Sequence, residues 1–234
     1  MERNELFCNL KLAEQNVPVK CYRGCMATPM NGRRAQAARN DSLILEAARA
    51  VFVADPDAPI AAVAERAGVG ISALYRRHGS KEDLLRRLCH DGLLTYIDVA
   101  EKALAVDDPW EAFAQFTAGI VEADTHALTM SLAGTFTPTE EMGALARRSG
   151  ELVTALLRRA QEAEVLRDDL VPEDVGVLFE QLATVRGRDD SRTAQLRERY
   201  IAMMLDGLRA PAAHRPLPGP APQPGEFAGR WQKR

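Results

Sequence analysis

Residues 58–81 decide the fold of this chain, and they read Ala-Pro-Ile-Ala-Ala-Val-Ala-Glu-Arg-Ala-Gly-Val-Gly-Ile-Ser-Ala-Leu-Tyr-Arg-Arg-His-Gly-Ser-Lys. Apolar residues recur at helical spacing on both sides of Gly68, which predicts two short helices, about 59–67 and 70–77, joined by a tight turn. Gly68 is placed to take the left-handed conformation that ends a helix, and Val69 follows it as an apolar plug. The pattern is typical of a helix-turn-helix, whose second helix enters the major groove of DNA.

Helices on both sides of this stretch complete a small domain. Before it, apolar residues at three- and four-residue steps predict a helix from about Arg39 to Val53. After it, Ser80 is a good N-cap with acidic residues behind it, so a long amphipathic helix is expected to run to about Ala105. Two short helices bury too little surface to be stable alone, and these neighbours give them a platform. We therefore expect a three-helix DNA-binding domain over residues 39–90.

The chain beyond this domain continues as helix after helix, without a credible strand pattern or an internal repeat. Three N-cap and proline pairs mark helix starts: Asp108-Pro109, Thr137-Pro138 and Val171-Pro172. The predicted helices cover about 109–123, 126–134, 138–163, 172–186 and 190–208. We therefore predict an all-α fold of about nine helices, in which a larger helical body, residues 91–209, follows the small domain.

The two ends lack this periodicity. Residues 1–38 hold prolines and glycines, and we interpret them as a flexible N-terminal arm. Residues 210–234 contain six prolines and three glycines, which predicts a disordered tail. Met26 and Met30 both precede the first periodic segment, so each is an alternative to Met1 as the start of translation.

The composition excludes several classes of protein. The chain has 234 residues, 46% of them hydrophobic, which is enough for a core without disulfides. It has no run of 18 apolar residues for a membrane span and no secretory signal, so a cytoplasmic location is expected. Cys21 and Cys25 have the spacing of a half metal site, but no second ligand pair follows. We expect reduced thiols, no metal and no cofactor.

The charge of the chain is unevenly distributed. The formal net charge is −3. Residues 31–90 hold 10 Lys and Arg against 7 Asp and Glu, whereas residues 91–209 hold 12 against 22. A mildly basic N-terminal segment joined to a strongly acidic body indicates that the N-terminal end faces DNA.

Three short motifs at fixed mutual spacing carry a family resemblance: Ala67-Gly68-Val69, Leu74-Tyr75 and Ser80-Lys81, preceded by an amphipathic helix that ends in Val51-Phe52. With them the chain resembles the TetR family of bacterial transcriptional repressors. The resemblance covers residues 39–90 closely and extends loosely to residue 209.

The resemblance implies a set of DNA-binding residues. Tyr75 and Lys81 occupy the positions that usually contact phosphates in the family, and both side chains suit that role. The start of the recognition helix, which would meet base edges, consists of Gly70, Ile71, Ser72 and Ala73. Further positive charge comes from Arg76, Arg77 and Arg39, with Arg33 and Arg34 near the arm.

Two residues depart from the family pattern. His78 stands where the family commonly has a phenylalanine, so its ring must be partly solvated or hydrogen-bonded, which would loosen the turn. The second helix begins with Pro59-Ile60 instead of a threonine whose hydroxyl holds phosphate. That contact is therefore missing or comes from a backbone amide.

The resemblance also implies a ligand pocket and a dimer in the body. Candidate ligand-binding residues are Trp110, Phe113, Phe116, His126, Thr129, Met130 and Phe136, although aromatic and methionine residues at this spacing also fit a plain core. The helices 172–186 and 190–208 would form a four-helix dimer interface. Their apolar faces hold Val175, Leu178, Phe179, Leu182, Leu196, Tyr200, Ile201, Met204 and Leu205. The alternative is that these residues cover the core of one chain.

The function that follows is a transcriptional regulator, a ligand-responsive repressor that binds a palindromic operator as a homodimer; direct activation stays open. Its small-molecule effector is unknown. One alternative is a helical protein-interaction dimer that has lost DNA binding, and another is an all-helical enzyme. We expect no enzyme, because the cavity candidates are mostly apolar. The letters Gly68-x-Gly70-x-x-Ala73 match a dinucleotide fingerprint, but that fingerprint requires a preceding strand, and here a helix precedes it.

Overall fold

The structure is a computed structural model that describes residues 32–210, 215–227 and 229. Within these residues it consists of nine helices and one isolated β-bridge, between Leu166 and Arg209. The helices are α1 (Gly32–Ala54), α2 (Ile60–Arg66), α3 (Ile71–His78), α4 (Lys81–Leu104), α5 (Pro109–Ala123), α6 (Thr125–Ser131), α7 (Glu140–Glu162), α8 (Pro172–Thr184) and α9 (Asp190–Leu208). The all-α prediction is confirmed. No helix in the described residues is both long and apolar enough to cross a membrane.

Several helix starts lie where the sequence places them. Ser80 begins α4 by accepting a hydrogen bond from the backbone N–H of Asp83, at 3.0 Å. Asp108 begins α5 in the same way, accepting from the N–H of Glu111 at 2.7 Å. Each bond satisfies one of the N–H groups that a helix leaves without an internal partner.

Three predicted boundaries are wrong. Residues 32–38 belong to α1 and not to the flexible arm, because this segment is rich in Ala, Arg and Gln, which favour helix. The long helix α7 begins two residues later than predicted, since the Thr139 hydroxyl, and not Thr137, caps it by accepting from the N–H of Met142. Helix α6 ends at Ser131, three residues earlier than predicted, with Leu132 as its C-cap, and the chain then turns through Gly134, whose φ is 78°.

The buried side chains form two clusters. One joins the helix-turn-helix to α6 and the start of α7, and its members include Phe52, Leu74, Leu88, Leu132 and Phe136. The other lies among the second half of α4 and helices α5, α7 and α8. The predicted division at residue 90 therefore does not separate the two cores, since α6 packs with the N-terminal helices.

Part of the C-terminal tail is attached to the body. Asp169 accepts hydrogen bonds from the Arg167 guanidinium at 2.9 Å and from the Leu217 N–H at 2.8 Å. Arg167 also donates to the carbonyl of Arg215 at 3.3 Å. The hydrogen bond from Arg167 is the main cause that lowers the pKa of Asp169 to about 2. Residues 215–227 are irregular, as their composition indicates, and these bonds attach Arg215 and Leu217 to the body.

Candidate nucleic-acid interface and cavities

Helices α2 and α3 meet at a tight turn. Gly68 has a φ of 63°, and the N–H of Val69 donates to the carbonyl of Ala64 at 3.0 Å, which closes the end of α2. Val63 on α2 and Leu74 on α3 are both fully buried. Since these contacts fix the inner side of α3, its opposite side is held toward solvent.

The outer side of α3 is the exposed face that the sequence predicts. Ile71 is 42% exposed and Tyr75 45% exposed, and Gly70, Ser72 and Arg76 are exposed beside them. We call these five residues the reading face. Arg76 makes no ion pair with any described residue, so its guanidinium is available to a partner. Ala73, also predicted to meet bases, is only half-exposed.

Two of the predicted DNA-binding cations have partners inside the domain. Arg77 donates from Nε to Oδ1 of Asp41 on α1, at 2.8 Å. The Lys81 ammonium donates to the carbonyls of Ala58 at 2.8 Å and Pro56 at 3.3 Å, and it lies 5.2 Å from the centre of the Phe52 ring. Lys81 therefore uses two of its three N–H groups to hold the α1–α2 loop, which its position in the motif did not reveal.

The other predicted arginines lie on α1. Arg39 is exposed and donates to the Gln36 side chain at 2.7 Å. Arg33 and Arg34 belong to the first turn of α1, so they are part of a helix and not of a free arm.

His78 is more buried than the sequence indicates. Its side chain is 6% exposed, and its Nε2 lies 3.3 Å from Oδ1 of Asp41 without the geometry of a hydrogen bond. Burial lowers the pKa of His78, an effect that the Asp41 charge partly offsets. The turn is not loosened, since Gly79 follows with a φ of 69° and donates its N–H to the Tyr75 carbonyl at 2.8 Å. Pro59 precedes α2 without a side-chain cap.

The predicted ligand-binding residues are divided between the two buried clusters and half-buried positions. Phe113 and Phe116 are buried in the core of the body, whereas Phe136 is buried in the N-terminal core. Trp110 is half-buried, and the Arg209 guanidinium lies 4.0 Å from its ring centre. The His126 ring packs on Phe179; Thr129 and Met130 are half-buried on α6. The core interpretation accounts for the aromatic residues, since helical spacing places them on inward faces.

A cleft of about 1170 Å³ lies elsewhere, between the N-terminal helices and the body. We call it the α1–α9 cleft. Its walls are formed by Arg49, Ala50, Val53, Ala54 and Arg66 on one side and, on the other, by Ala118, Val121, Glu122, Ala123, Asp124, Leu128, Arg186, Asp190, Thr193, Ala194, Arg197, Glu198 and Ile201. Sequence reasoning missed it, because its charged residues come from distant segments that each look like a solvated helix face. No group of His, Cys, Asp and Glu in the described chain has the arrangement of a metal site.

Helices α8 and α9 present both core and surface residues. Val175, Phe179 and Leu182 are buried within the chain, as the core alternative predicts. Leu178, Leu182, Val185, Tyr200 and Met204, together with Gln181, line a groove of about 240 Å³. Tyr200 is 43% exposed and Met203 59% exposed. The outer side of this helix pair is therefore apolar and uncovered in the single chain.

Comparison with protein families gives two matches. Residues 44–88 match the model described as bacterial regulatory proteins of the tetR family. Residues 108–210 match the C-terminal domain of SbtR-like transcriptional regulators, a TetR C-terminal family. Together the two matches span more than half of the chain. A search of curated proteins gave no significant match.

Solved structures of similar shape are regulators as well. The TetR family transcriptional regulator PfmR from Thermus thermophilus is 26% identical, with 70% of this chain and 98% of that chain covered and a TM-score of 0.52. The TetR-like regulator LfrR from Mycobacterium smegmatis, solved with proflavine, is 19% identical, with 77% and 99% covered and a TM-score of 0.58. The ketosteroid transcriptional regulator of Mycobacterium tuberculosis is 19% identical, with 73% and 95% covered and a TM-score of 0.55.

Proposed function

The chain belongs to the TetR family of bacterial regulatory proteins, and on that premise we propose that it is a ligand-responsive repressor that binds a palindromic operator as a homodimer. The observation that carries the proposal is the reading face on α3. Its residues are exposed while Leu74, on the opposite side of the helix, is fully buried. A helix held in this way presents the same side chains to the major groove each time it docks.

The roles of the proposed DNA-binding residues differ. Ile71 packs on thymine methyl groups, and the Ser72 hydroxyl bonds a base or a phosphate. Tyr75 and Arg76 contact the phosphates that flank the groove. Arg77 and Lys81 act mainly by holding α3 and the α1–α2 loop in place, and they offer phosphate only the N–H groups that these internal bonds leave.

The homodimer is proposed to form through the outer side of α8 and α9. Tyr200, Met203 and Met204 would pack against the same residues of a second copy around a two-fold axis. Two reading faces about 34–36 Å apart meet successive major grooves on one side of the DNA. The symmetry of such a dimer is the reason to expect a palindromic operator.

The repressor has one state that fits DNA well and another that fits it poorly. An effector releases the repressor only if it has the higher affinity for the poorly fitting state. Equal affinity for the two states would change nothing. Helix α4 connects the two parts, since it runs from Lys81 beside the helix-turn-helix to Leu104 in the body core. A tilt of α4 would change the distance between the two reading faces and so weaken operator binding.

Selection of binding sites from a random DNA pool tests this proposal. The wild-type protein should enrich a palindrome, and the variant Ser72→Ala with Tyr75→Ala should not. Arg158→Ala is the matched control, because Arg158 is an exposed α7 residue paired with Glu162, and this variant should select the wild-type sequence. Failure of the wild type to enrich any sequence in low salt would contradict the repressor and favour a helical protein-interaction dimer.

A further inference from the structure

The α1–α9 cleft joins the two functional parts of the molecule. One wall is formed by α1 and by the end of α2, the first helix of the helix-turn-helix. The other wall is formed by α5, α6, α9 and the α8–α9 connection. A molecule bound there would touch the DNA-binding helices and the body at once. The cleft is open to solvent and large enough for a small molecule, since ligand sites usually measure about 300–1,000 Å³.

Two guanidinium groups lie within ion-pair distance of one carboxylate in this cleft. Asp124, between α5 and α6, lies 3.0 Å from Nη1 of Arg197 and 3.8 Å from Arg186. Arg49 acts on the same carboxylate from the α1 wall. Burial raises the pKa of Asp124, which the charges of Arg186 and Arg49 partly offset. One carboxylate does not balance the two guanidinium groups beside it, and Arg49 brings a further positive charge to the same cleft.

The hydrogen bonds around Asp124 show the same imbalance. The Arg197 side chain is nine-tenths buried, and its Nε has no hydrogen-bond partner among the described residues. Arg49 is half-buried and makes no hydrogen bond or ion pair with a described residue. The donors around Asp124 thus outnumber their acceptors among the described residues, and a buried donor without an acceptor costs free energy.

Other carboxylates of the cleft do not supply the missing acceptors. Glu122, Asp190 and Glu198 line the cleft, but none of them lies within ion-pair distance of an arginine in it. The walls also carry apolar side chains, with Val53 on the α1 side and Val121 and Ile201 on the side of the body. The site thus combines a donor-rich end with an apolar surface.

We propose that the α1–α9 cleft binds an amphipathic organic acid. Its anionic group, a carboxylate or a sulfonate, accepts hydrogen bonds from Arg49 and Arg186, and its apolar part lies along Val53, Val121 and Ile201. Arginine is suited to such groups because its planar fork matches two acceptor oxygens.

This site would also act on DNA binding, an extension that rests on the proposed function. The anion would bridge Arg49 on α1 to Arg186 in the body, and α1 packs directly against α2 of the helix-turn-helix. A molecule that fits the cleft at one separation of its walls selects that separation. The effector would then work where the two parts meet and not inside the core of the body.

Two fluorescent dyes test the site directly. The first is 8-anilinonaphthalene-1-sulfonate, an amphipathic anion, and the second is N-phenyl-1-naphthylamine, which has the same rings without the sulfonate. Purified full-length protein is titrated with each dye. Arg49→Gln and Arg186→Gln should each weaken binding of the sulfonate about ten-fold, the effect of losing a charged hydrogen bond. Their affinity for the neutral dye should stay within about two-fold of the wild type.

Arg158→Gln is the matched control, since it removes an exposed arginine far from the cleft walls, and it should bind both dyes as the wild type does. Arg49 has no hydrogen bond or ion pair to lose among the described residues, so Arg49→Gln keeps the test decisive even where Arg186→Gln fails to fold. Unchanged sulfonate binding in Arg49→Gln would overturn the proposal, as would an equal loss of both dyes.

The dye titration needs no DNA, so its outcome is independent of the repressor proposal. Operator binding of the same variants without dye is measured separately, and Arg49→Gln should bind operator as the wild type does. If the wild-type protein bound no operator, the proposed repressor function would be wrong. The dye titration would still test the α1–α9 cleft. Saturating sulfonate should lower operator affinity in the wild type and have no effect in Arg49→Gln at the same dye concentration.

Discussion

Arg77 on α3 and Asp41 on α1 are joined by a 2.8 Å hydrogen bond, while Arg76, the residue before Arg77, has no partner among the described residues. Two adjacent arginines on one short helix therefore differ in their bonding. The bond from Arg77 is the main cause that lowers the pKa of Asp41. It ties the recognition helix to α1, whereas Arg76 stays available to a phosphate.

Replacement of the two arginines should separate DNA binding from stability. Arg76→Gln should leave the unfolding free energy unchanged, weaken operator binding, and reduce the slope of log K against log salt by about 1, because one phosphate contact is lost. Arg77→Gln should lower the unfolding free energy by roughly 0.2–1 kcal/mol, as expected for an ion pair near the surface. Urea unfolding and a salt series of operator titrations measure both. Equal salt slopes in the two variants would contradict this division.

Lys81→Met should act on stability. The substitution keeps an apolar chain beside the Phe52 ring but leaves the carbonyls of Ala58 and Pro56 without their donor. We expect a loss of about 1–3 kcal/mol in unfolding free energy. Lys102→Met is the control, because Lys102 is 75% exposed and pairs only with Asp98, so its loss should cost under about 1 kcal/mol. Similar denaturation midpoints for the two variants would show that the bonds of Lys81 contribute little.

The local signals of the sequence predicted most of the fold. Ser80, Asp108 and Gly68 each act through contacts within a few residues, so a linear pattern was enough to place the helix ends. The reading face followed from the same logic, since one short helix with a buried Leu74 determines which neighbours are exposed. These features depend on helical periodicity and capping, which a sequence displays directly.

The internal roles of charged residues and the cleft could not be predicted in this way. Lys81 is 23 residues from Ala58, and Arg77 is 36 residues from Asp41. The arginines and Asp124 of the α1–α9 cleft are brought together only when α1, α5 and α9 assemble. A charged residue on a helix looks solvated until the packing partner is known, so the sequence alone does not point to these arginines.

Gly68 and Gly70 offer a test of the turn. Gly68 has a φ of 63°, so Gly68→Ala should destabilise the protein by about 1–2 kcal/mol although no atom lies within 4 Å of the added Cβ. Gly70 has a φ of −66° and equally open space, so Gly70→Ala should be neutral or stabilising by up to about 1 kcal/mol. Thermal unfolding of both variants provides the comparison. A smaller loss for Gly68→Ala than for Gly70→Ala would contradict the left-handed turn.

His78 should make the stability of the protein depend on pH. Because burial lowers its pKa in the folded state, the unfolded chain takes up the proton more readily. The contribution of the neutral ring is therefore fully present above the unfolded pKa of about 6.5 and declines as the pH falls below it. Asp41 opposes this shift, and Arg77 and Arg87 reinforce it.

The variant His78→Phe should remove this dependence, since a phenyl ring fills the same buried position without titrating. Urea unfolding at several pH values between about 7 and 5 should show a loss of stability in the wild type and a flatter profile in His78→Phe. If His78→Phe kept the wild-type slope, folding would not lower the pKa of His78. The ring would then have to be solvated at the turn.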